Sequence, residues 1–269
     1  MRDFINKLPL KKAILGSLPF LVLLLVYLFL AAERHQINPD DKLLPLPSQI
    51  YQGILWCFTP GTGDTESNLP IIIADTYASL KRLLIGLSLS SIIAVGLALL
   101  MQNFELIRLT LHPLILFFAK IPSVALLPIL LLWIGINENS KISLVILGLT
   151  PYMCLHLLED LKRNQHAFQE IVLSMNLPLW QQFLYVDLPL LRPSFVHQIQ
   201  TSLGPAWLFL LIAEVIGAKH GLGYRIFVIR RFLRMDVIII YVLWITFLSV
   251  VIYSAFNIYK RRFTWYSNE

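Results

Sequence analysis

Charge is what this sequence has least of. Only 14% of its 269 residues are Asp, Glu, Lys or Arg, against about a quarter in an average soluble domain. With 57% hydrophobic residues and a mean hydropathy of +0.70, the deficit excludes an ordinary water-soluble globule and points to an integral membrane protein. Cysteine is almost missing. Cys57 and Cys154 fall in a loop and in an apolar run, so no disulfide framework is implied. There is no G-x-x-x-x-G-K-[ST] phosphate loop, which excludes this chain as an ATP-hydrolysing subunit built on that device. No nucleophile–base arrangement is visible. The six histidines are scattered, and His156-x-x-Glu159 is too weak a pair to indicate a metal site. No basic run is interleaved with aromatics, so nucleic acid is not an expected partner. The formal net charge of +6 is better read as topology information.

What is present is a series of apolar runs. Residues 1–12 form a basic head with Arg2, Lys7, Lys11 and Lys12. The run at 13–32 has about the ~20 residues that cross a bilayer. A signal peptide is the rival reading, but its apolar region is usually about 7–15 residues, so an uncleaved first span is expected. Residues 33–75 are the longest polar segment, with an amphipathic piece at Ser48–Phe58 lying along the membrane surface and a mobile tip at Pro60–Asn68. The core, 76–259, holds five further spans near Leu83–Met101, Pro113–Ile134, Ile142–Leu158, Phe195–Gly217 and Val237–Tyr259. Residues 260–269 are a tail opening with Lys260-Arg261-Arg262. The fold class is therefore an all-α membrane protein with six transmembrane helices. Basic residues of the head, Lys162-Arg163 and the tail put both termini in the cytoplasm. One loop disagrees: Lys219, Arg225, Arg230, Arg231 and Arg234 fall on the outer side.

Between spans four and five lies a segment of another kind, 165–189. Phe168, Ile171, Val172 and Met175 recur at helical spacing. Asn176-Leu177-Pro178 breaks the pattern, and Trp180, Phe183 and Leu184 follow on one side of a second helical run. Asn suits a helix end and Pro a helix start. The expectation is a helix–turn–helix hairpin closed by Leu188-Pro189.

This segment resembles the docking loop of permease subunits of binding-protein-dependent ABC importers. The family pattern is E-A-A, three residues, G, nine residues, I-x-L-P. Here the frame reads Glu170-Ile171-Val172, three residues, Asn176, nine residues, Val186-Asp187-Leu188-Pro189. Other stretches match in order: Ser79-Leu80-Lys81-Arg82, then Lys120 to Pro128 with Trp133-Ile134-Gly135, then Gly204-Pro205-Ala206-Trp207, Ala213-Glu214 and Gly221-Leu222-Gly223-Tyr224. Together they resemble the branch that imports nitrate, sulfonates, taurine or bicarbonate. The departure is the loss of both alanines and the glycine.

The resemblance implies a type I ABC importer permease fold with a cytoplasmic coupling-helix hairpin. It implies a bacterial inner-membrane location and a second permease copy, most simply a homodimer. It also implies two ABC ATPase subunits that bind ATP and Mg, and a periplasmic solute-binding protein. No cofactor is expected in this chain. Glu170, Ile171, Val172, Asn176, Leu177, Trp180, Leu188 and Pro189 would make the ATPase contact. Arg82, Pro122, Pro128, Trp207, Glu214 and Arg225 are candidates for the pathway or its gate. For Arg82 two readings stay open, snorkelling to headgroups or a positive site for an anion. For Glu214 they are an ion pair with a neighbouring helix or a gate. The run 224–236, if helical, opposes an arginine face to an apolar one, with Arg225 on the apolar side; it reads as a lipid anchor or as an outer gate. A membrane-embedded enzyme and a non-catalytic scaffold are the alternatives of other classes. The first would need a catalytic constellation at membrane depth; the second would not need Lys81, Arg82 and Glu214 near the spans.

Overall fold

The computed structural model describes residues 9–39, 41–59, 69–174 and 178–263, so the head to residue 8, the tip at 60–68, Asn176, Leu177 and the end of the tail fall outside the description. The described elements are helices joined by turns. They are α1 (Pro9–Ile37), α2 (Pro47–Cys57), α3 (Ile71–Asn103), α4 (Glu105–Lys120), a 3-10 turn (Ser123–Leu126), α5 (Leu127–Ile134), α6 (Glu138–Ser174), α7 (Leu179–Gln182), a π-helical turn (Phe183–Asp187), α8 (Leu188–Gly217), α9 (Leu222–Arg230) and α10 (Met235–Phe263).

Local signals set several of the ends. Pro47 opens α2, where a missing N–H costs nothing, and the Leu46 N–H donates to Gln49 Oε1 at 2.9 Å. Asn137 caps α6: its Oδ1 accepts the Ser140 N–H at 3.2 Å and its carbonyl accepts the Ser140 hydroxyl at 2.8 Å.

Among the described residues, five helical stretches are long and apolar enough to cross a membrane, and a bent pair brings the number to six if it is taken as one span. The run expected as one span at Pro113–Ile134 is in fact α4 and α5, bent by 89°. The cause is Pro122. It offers no N–H and forces Ile121 into an extended conformation, φ −77° and ψ 125°, so α4 stops at Lys120. Pro128, by contrast, sits in the first turn of α5 and breaks nothing.

The core lies between α3, α6 and α8. Val145, Leu149, Met153, Leu157 and Leu161 recur every four residues along α6 and are all buried. They meet Leu83, Leu87, Ala94 and Ala98 of α3 on one side, and Leu203, Ala206 and Leu210 of α8 belong to the same cluster. In lipid, such packing is held by close contact rather than by expulsion of water. Gly86 allows that closeness, because a Cβ there would stand 2.8 Å from the Val145 side chain.

Two expectations change at the hairpin. Its first helix is not a separate element but the continuation of α6, 37 residues long. Its second half runs through α7 and the π-helical turn straight into α8, so Leu188-Pro189 begins α8 rather than closing the hairpin. Pro189 is tolerated there for the same reason as Pro128. The π-helical turn is anchored by Asp187, buried, whose Oδ2 accepts from Asn103 Nδ2 at the end of α3 at 2.9 Å.

The outer segment also packs inward. Rather than merely lying on a membrane surface, α2 rests on the start of α10. The Arg234 guanidinium stands 5.1 Å over the Trp56 ring. The first span, α1, is the exception in the bundle. Its side chains from Leu15 to Leu30 are almost all exposed. It is tied down near its end, where the Tyr27 hydroxyl donates to the Pro45 carbonyl at 2.7 Å and Arg34 pairs with Asp41 at 2.6 Å.

Candidate functional site

Residues 75, 79 and 82 share one face of α3, spaced at i, i+4 and i+7. The sequence places Asp, Ser and Arg there, and all three are buried. Around them the chain assembles an ionic network from α3, α6, α8, α9 and α10. Glu214, fully buried, accepts from Ser79 Oγ and from Arg82 Nη1 through Oε1, each at 2.7 Å. Its Oε2 accepts the Gly223 N–H at 2.9 Å. Arg82 also donates to both oxygens of Glu138 and to the His220 carbonyl. Lys141 closes on Glu138 at 2.8 Å. Asp75 Oδ2 accepts from Arg225 Nε at 2.7 Å and from the Tyr241 hydroxyl at 3.0 Å, and its Oδ1 accepts the Gly221 N–H at 3.0 Å.

The network is charge-balanced, with Arg82, Lys141 and Arg225 against Asp75, Glu138 and Glu214. A buried charge persists only when paired and hydrogen-bonded, and each buried member is, while Glu138 lies at the exposed edge of the network. Gly221 is what lets the chain enter α9 beside Glu214. Its φ is +137°, and a Cβ there would lie 2.6 Å from the Glu214 carboxylate.

This arrangement shows what each of these side chains touches. Arg82 does not snorkel, nor is it a free positive site: it is 6% exposed and held by two carboxylates. Glu214 makes an ion pair with Arg82 of a neighbouring helix. Arg225 lies on the inward face of α9 because Asp75 awaits it. The run 224–236 is helical only to Arg230, then turns through Leu233 at φ 54°. Phe232 and Leu233 are therefore exposed instead of joining the apolar face. Arg230 and Arg231 are exposed and stack over Phe227 at 5.5 and 5.1 Å. Trp207 is buried in the core, and Pro122 and Pro128 sit at the α4–α5 bend, away from this network. Asp75, Glu138 and Lys141 are not among the candidates the sequence offers. The i, i+4, i+7 spacing of Asp75, Ser79 and Arg82 in an apolar helix was the available signal.

A second feature lies on the other side of α6 and α8 from α3. A groove of about 730 Å³ runs between these two helices. Gly148, Pro205 and Phe209 line one stretch of it, and Tyr152, His156, His197, Gln198, Thr201 and Ser202 add polar groups to a largely apolar wall. Glu159 and Arg163 line it near the hairpin, where Arg163 pairs with Asp160 at 2.7 Å. None of the six pathway candidates from the sequence lines it. Of the coupling candidates, Glu170, Ile171 and Val172 lie on the α6 extension and Trp180 on α7, at the hairpin end of the molecule.

Membrane-length helices, a groove with polar side chains between two of them and a long helical extension at one end are compatible with a transport subunit of the membrane. The model of the binding-protein-dependent transport system inner membrane component family matches residues 86–265, and this chain belongs to that family. It is similar to the taurine transport system permease protein TauC of Escherichia coli K12, 27% identical over 97% of this chain and 93% of TauC. It also resembles the putative aliphatic sulfonates transport permease protein SsuC of the same organism, 34% identical over 45% of this chain and 46% of SsuC. The formylaminopyrimidine transport permease protein ThiX of Halalkalibacterium halodurans is 28% identical over 79% and 80%. By fold, the chain superposes on an inward-facing structure of the MetNI methionine ABC transporter. The TM-score is 0.57 and the identity 19%, over 71% of this chain and 99% of that one. The fold is that of a type I ABC importer permease, and the chain is a multi-pass inner-membrane component with relatives in the sulfonate and taurine branch.

Proposed function

We propose that this chain forms the translocation pathway for a small anionic solute, a sulfonate such as taurine, in an ATP-driven importer. The groove between α6 and α8 carries this reading. Imidazole, amide and hydroxyl groups at membrane depth are costly against lipid and belong beside water or solute. His156, His197 and Gln198 offer N–H groups to sulfonate oxygens without fixing the anion as a full buried cation would, whereas the Thr201 hydroxyl is already given to the His197 and Gln198 carbonyls. The names of TauC and SsuC support the same solute class. The groove is open along one side, which suits completion by a second copy of the chain in a homodimer.

In this reading the termini and the hairpin face the cytoplasm, and α2 and α9 face the periplasm. A solute-binding protein delivers the solute at the α9 end. Two ATPase subunits, which hold ATP and Mg, dock on the hairpin through Glu170, Ile171, Val172, Asn176, Leu177 and Trp180. Leu188 and Pro189 start the rigid helix that carries their movement inward. Because α6 and α8 leave the hairpin without a break, a tilt there moves both walls of the groove. Alternating access needs two such packed states biased by nucleotide.

The test is reconstitution in proteoliposomes with the cognate ATPase and binding protein. ATP-dependent accumulation of taurine or an alkanesulfonate is expected. Glu170→Ala or Trp180→Ala should keep the fold and ATPase turnover but lose transport. Normal transport by both variants overturns the docking assignment, and absence of sulfonate uptake with an active ATPase overturns the solute class.

A further inference from the structure

A crevice of about 520 Å³ opens between α3, the start of α8 and the end of α10. Its walls are apolar: Ile92, Val95 and Leu99 on one side, Phe183, Leu191 and Phe195 on the other. Ser91 lines it too, but its hydroxyl is already given to the Leu87 carbonyl at 2.7 Å. Gly96 leaves its middle empty, since nothing stands within 4 Å of where a Cβ would be. No carboxylate lines it. One cation does: Arg192, on the α8 face shared by Leu188, Leu191 and Phe195. Arg192 is exposed and has no ion-pair or hydrogen-bond partner among the described residues. Tyr259 sits at the same end.

We propose that this crevice binds one anionic phospholipid, with an acyl chain along Gly96 and the phosphate on Arg192. Four observations select that occupant. From Ser91 to Leu99 the wall runs about 12 Å at ~1.5 Å per residue, close to the ~15 Å depth of one leaflet. The polarity is graded, dry towards the bilayer middle and cationic at the surface, as a lipid is. The guanidinium presents a fork that fits phosphate oxygens in a bidentate way and finds no protein carboxylate to take instead. Aromatic Phe183 and Tyr259 at the same level match an interfacial belt. The proposal stands apart from the transport reading, since it concerns the lipid-facing side of α3 rather than the α6–α8 groove. Its biological consequence is a lipid wedged against the first turns of α8, next to the π-helical turn that leads from the hairpin.

The test is native mass spectrometry of the full chain in mild detergent, titrated with phosphatidylglycerol and with phosphatidylcholine. One phosphatidylglycerol per protomer is expected to persist where phosphatidylcholine is stripped, and inorganic phosphate alone should not displace it. Arg192→Gln should weaken the phosphatidylglycerol adduct about tenfold, in line with loss of a charged hydrogen bond. Gly96→Phe, which fills the crevice, should remove the adduct while thermal unfolding stays unchanged. Equal retention of both lipids in the unsubstituted protein and in both variants overturns the proposal. So does an efficient disulfide between two copies carrying Val95→Cys, which would make a second protomer the occupant.

Discussion

Arg82 and Glu214 lie 132 positions apart in the chain and meet at 2.7 Å, both buried, on helices that otherwise present apolar faces to each other. Removing one charge strands the other. Arg82→Gln should cost about 3–5 kcal/mol, the usual penalty for an orphaned buried charge, read as a lowered unfolding temperature in detergent. Replacing both residues by Met should cost less than the two single changes summed, because neither charge is then left alone.

Gly221 is the hinge on which α9 turns beside that pair. Gly221→Ala meets both an unfavourable φ, about 1–2 kcal/mol, and the Glu214 carboxylate at 2.6 Å. Purified yield and unfolding temperature should fall. Gly16→Ala, where a Cβ meets nothing, should leave both unchanged.

The groove between α6 and α8 predicts a different phenotype. His156→Leu and His197→Leu remove polar groups from an exposed wall and no core contact. Stability should hold, whereas sulfonate uptake should drop about tenfold or more, since a hydrogen bond to a charged group is worth roughly 1.5–3 kcal/mol. Unaltered uptake in both would remove the groove from the pathway.

Asn103 offers a test near the hairpin. Asn103→Ala leaves Asp187 buried without its side-chain partner, and Asp187 Oδ1 already lacks one. A cost of about 1–3 kcal/mol is expected, concentrated locally. Hydrogen exchange at Phe183–Asp187 should quicken while α3 and α6 keep their protection.

At the other end, the Leu43 N–H and then the Arg34 guanidinium hold the Asp41 carboxyl below the usual carboxylate range. A depressed folded-state pKa stabilises above the unfolded value of about 3.9 and loses that stabilisation as pH falls through the folded value. Limited proteolysis between α1 and α2 should therefore accelerate below about pH 4, and Asp41→Asn should show that susceptibility already at neutral pH.

Much of the architecture was legible because bilayer thickness leaves few choices. Runs such as Leu83–Met101 have one use, and five of the six apolar runs are helices where composition put them. The resemblance on Glu170 to Pro189, Lys120 to Pro128 and Gly204 to Glu214 pointed to the family whose model matches residues 86–265. What escaped was partnership. Arg82 and Glu214 were visible as isolated charges, but nothing in sequence spacing says that Glu138 and Asp75 complete a neutral set. The continuity of α6 into the hairpin was hidden as well, since polarity falls at Glu159 while helical hydrogen bonding does not. The α4–α5 break was readable only as a proline. That Pro122 breaks and Pro128 does not depends on where each falls in its helix, which the folded backbone decides.

The near-complete exposure of α1 also has a consequence for synthesis. A helix that takes almost nothing from its neighbours must enter the bilayer on its own apolar character, before the bundle exists. Segments such as α6 and α8, carrying Glu138, Lys141 and Glu214, stand in the opposite position. Their charges are tolerable only once α3 supplies Arg82 and α9 supplies its backbone N–H groups. Biogenesis is thus expected to proceed by commitment and then rescue. The early helix settles the orientation, α6 enters against an α3 already made, and α8 waits until α9 follows it.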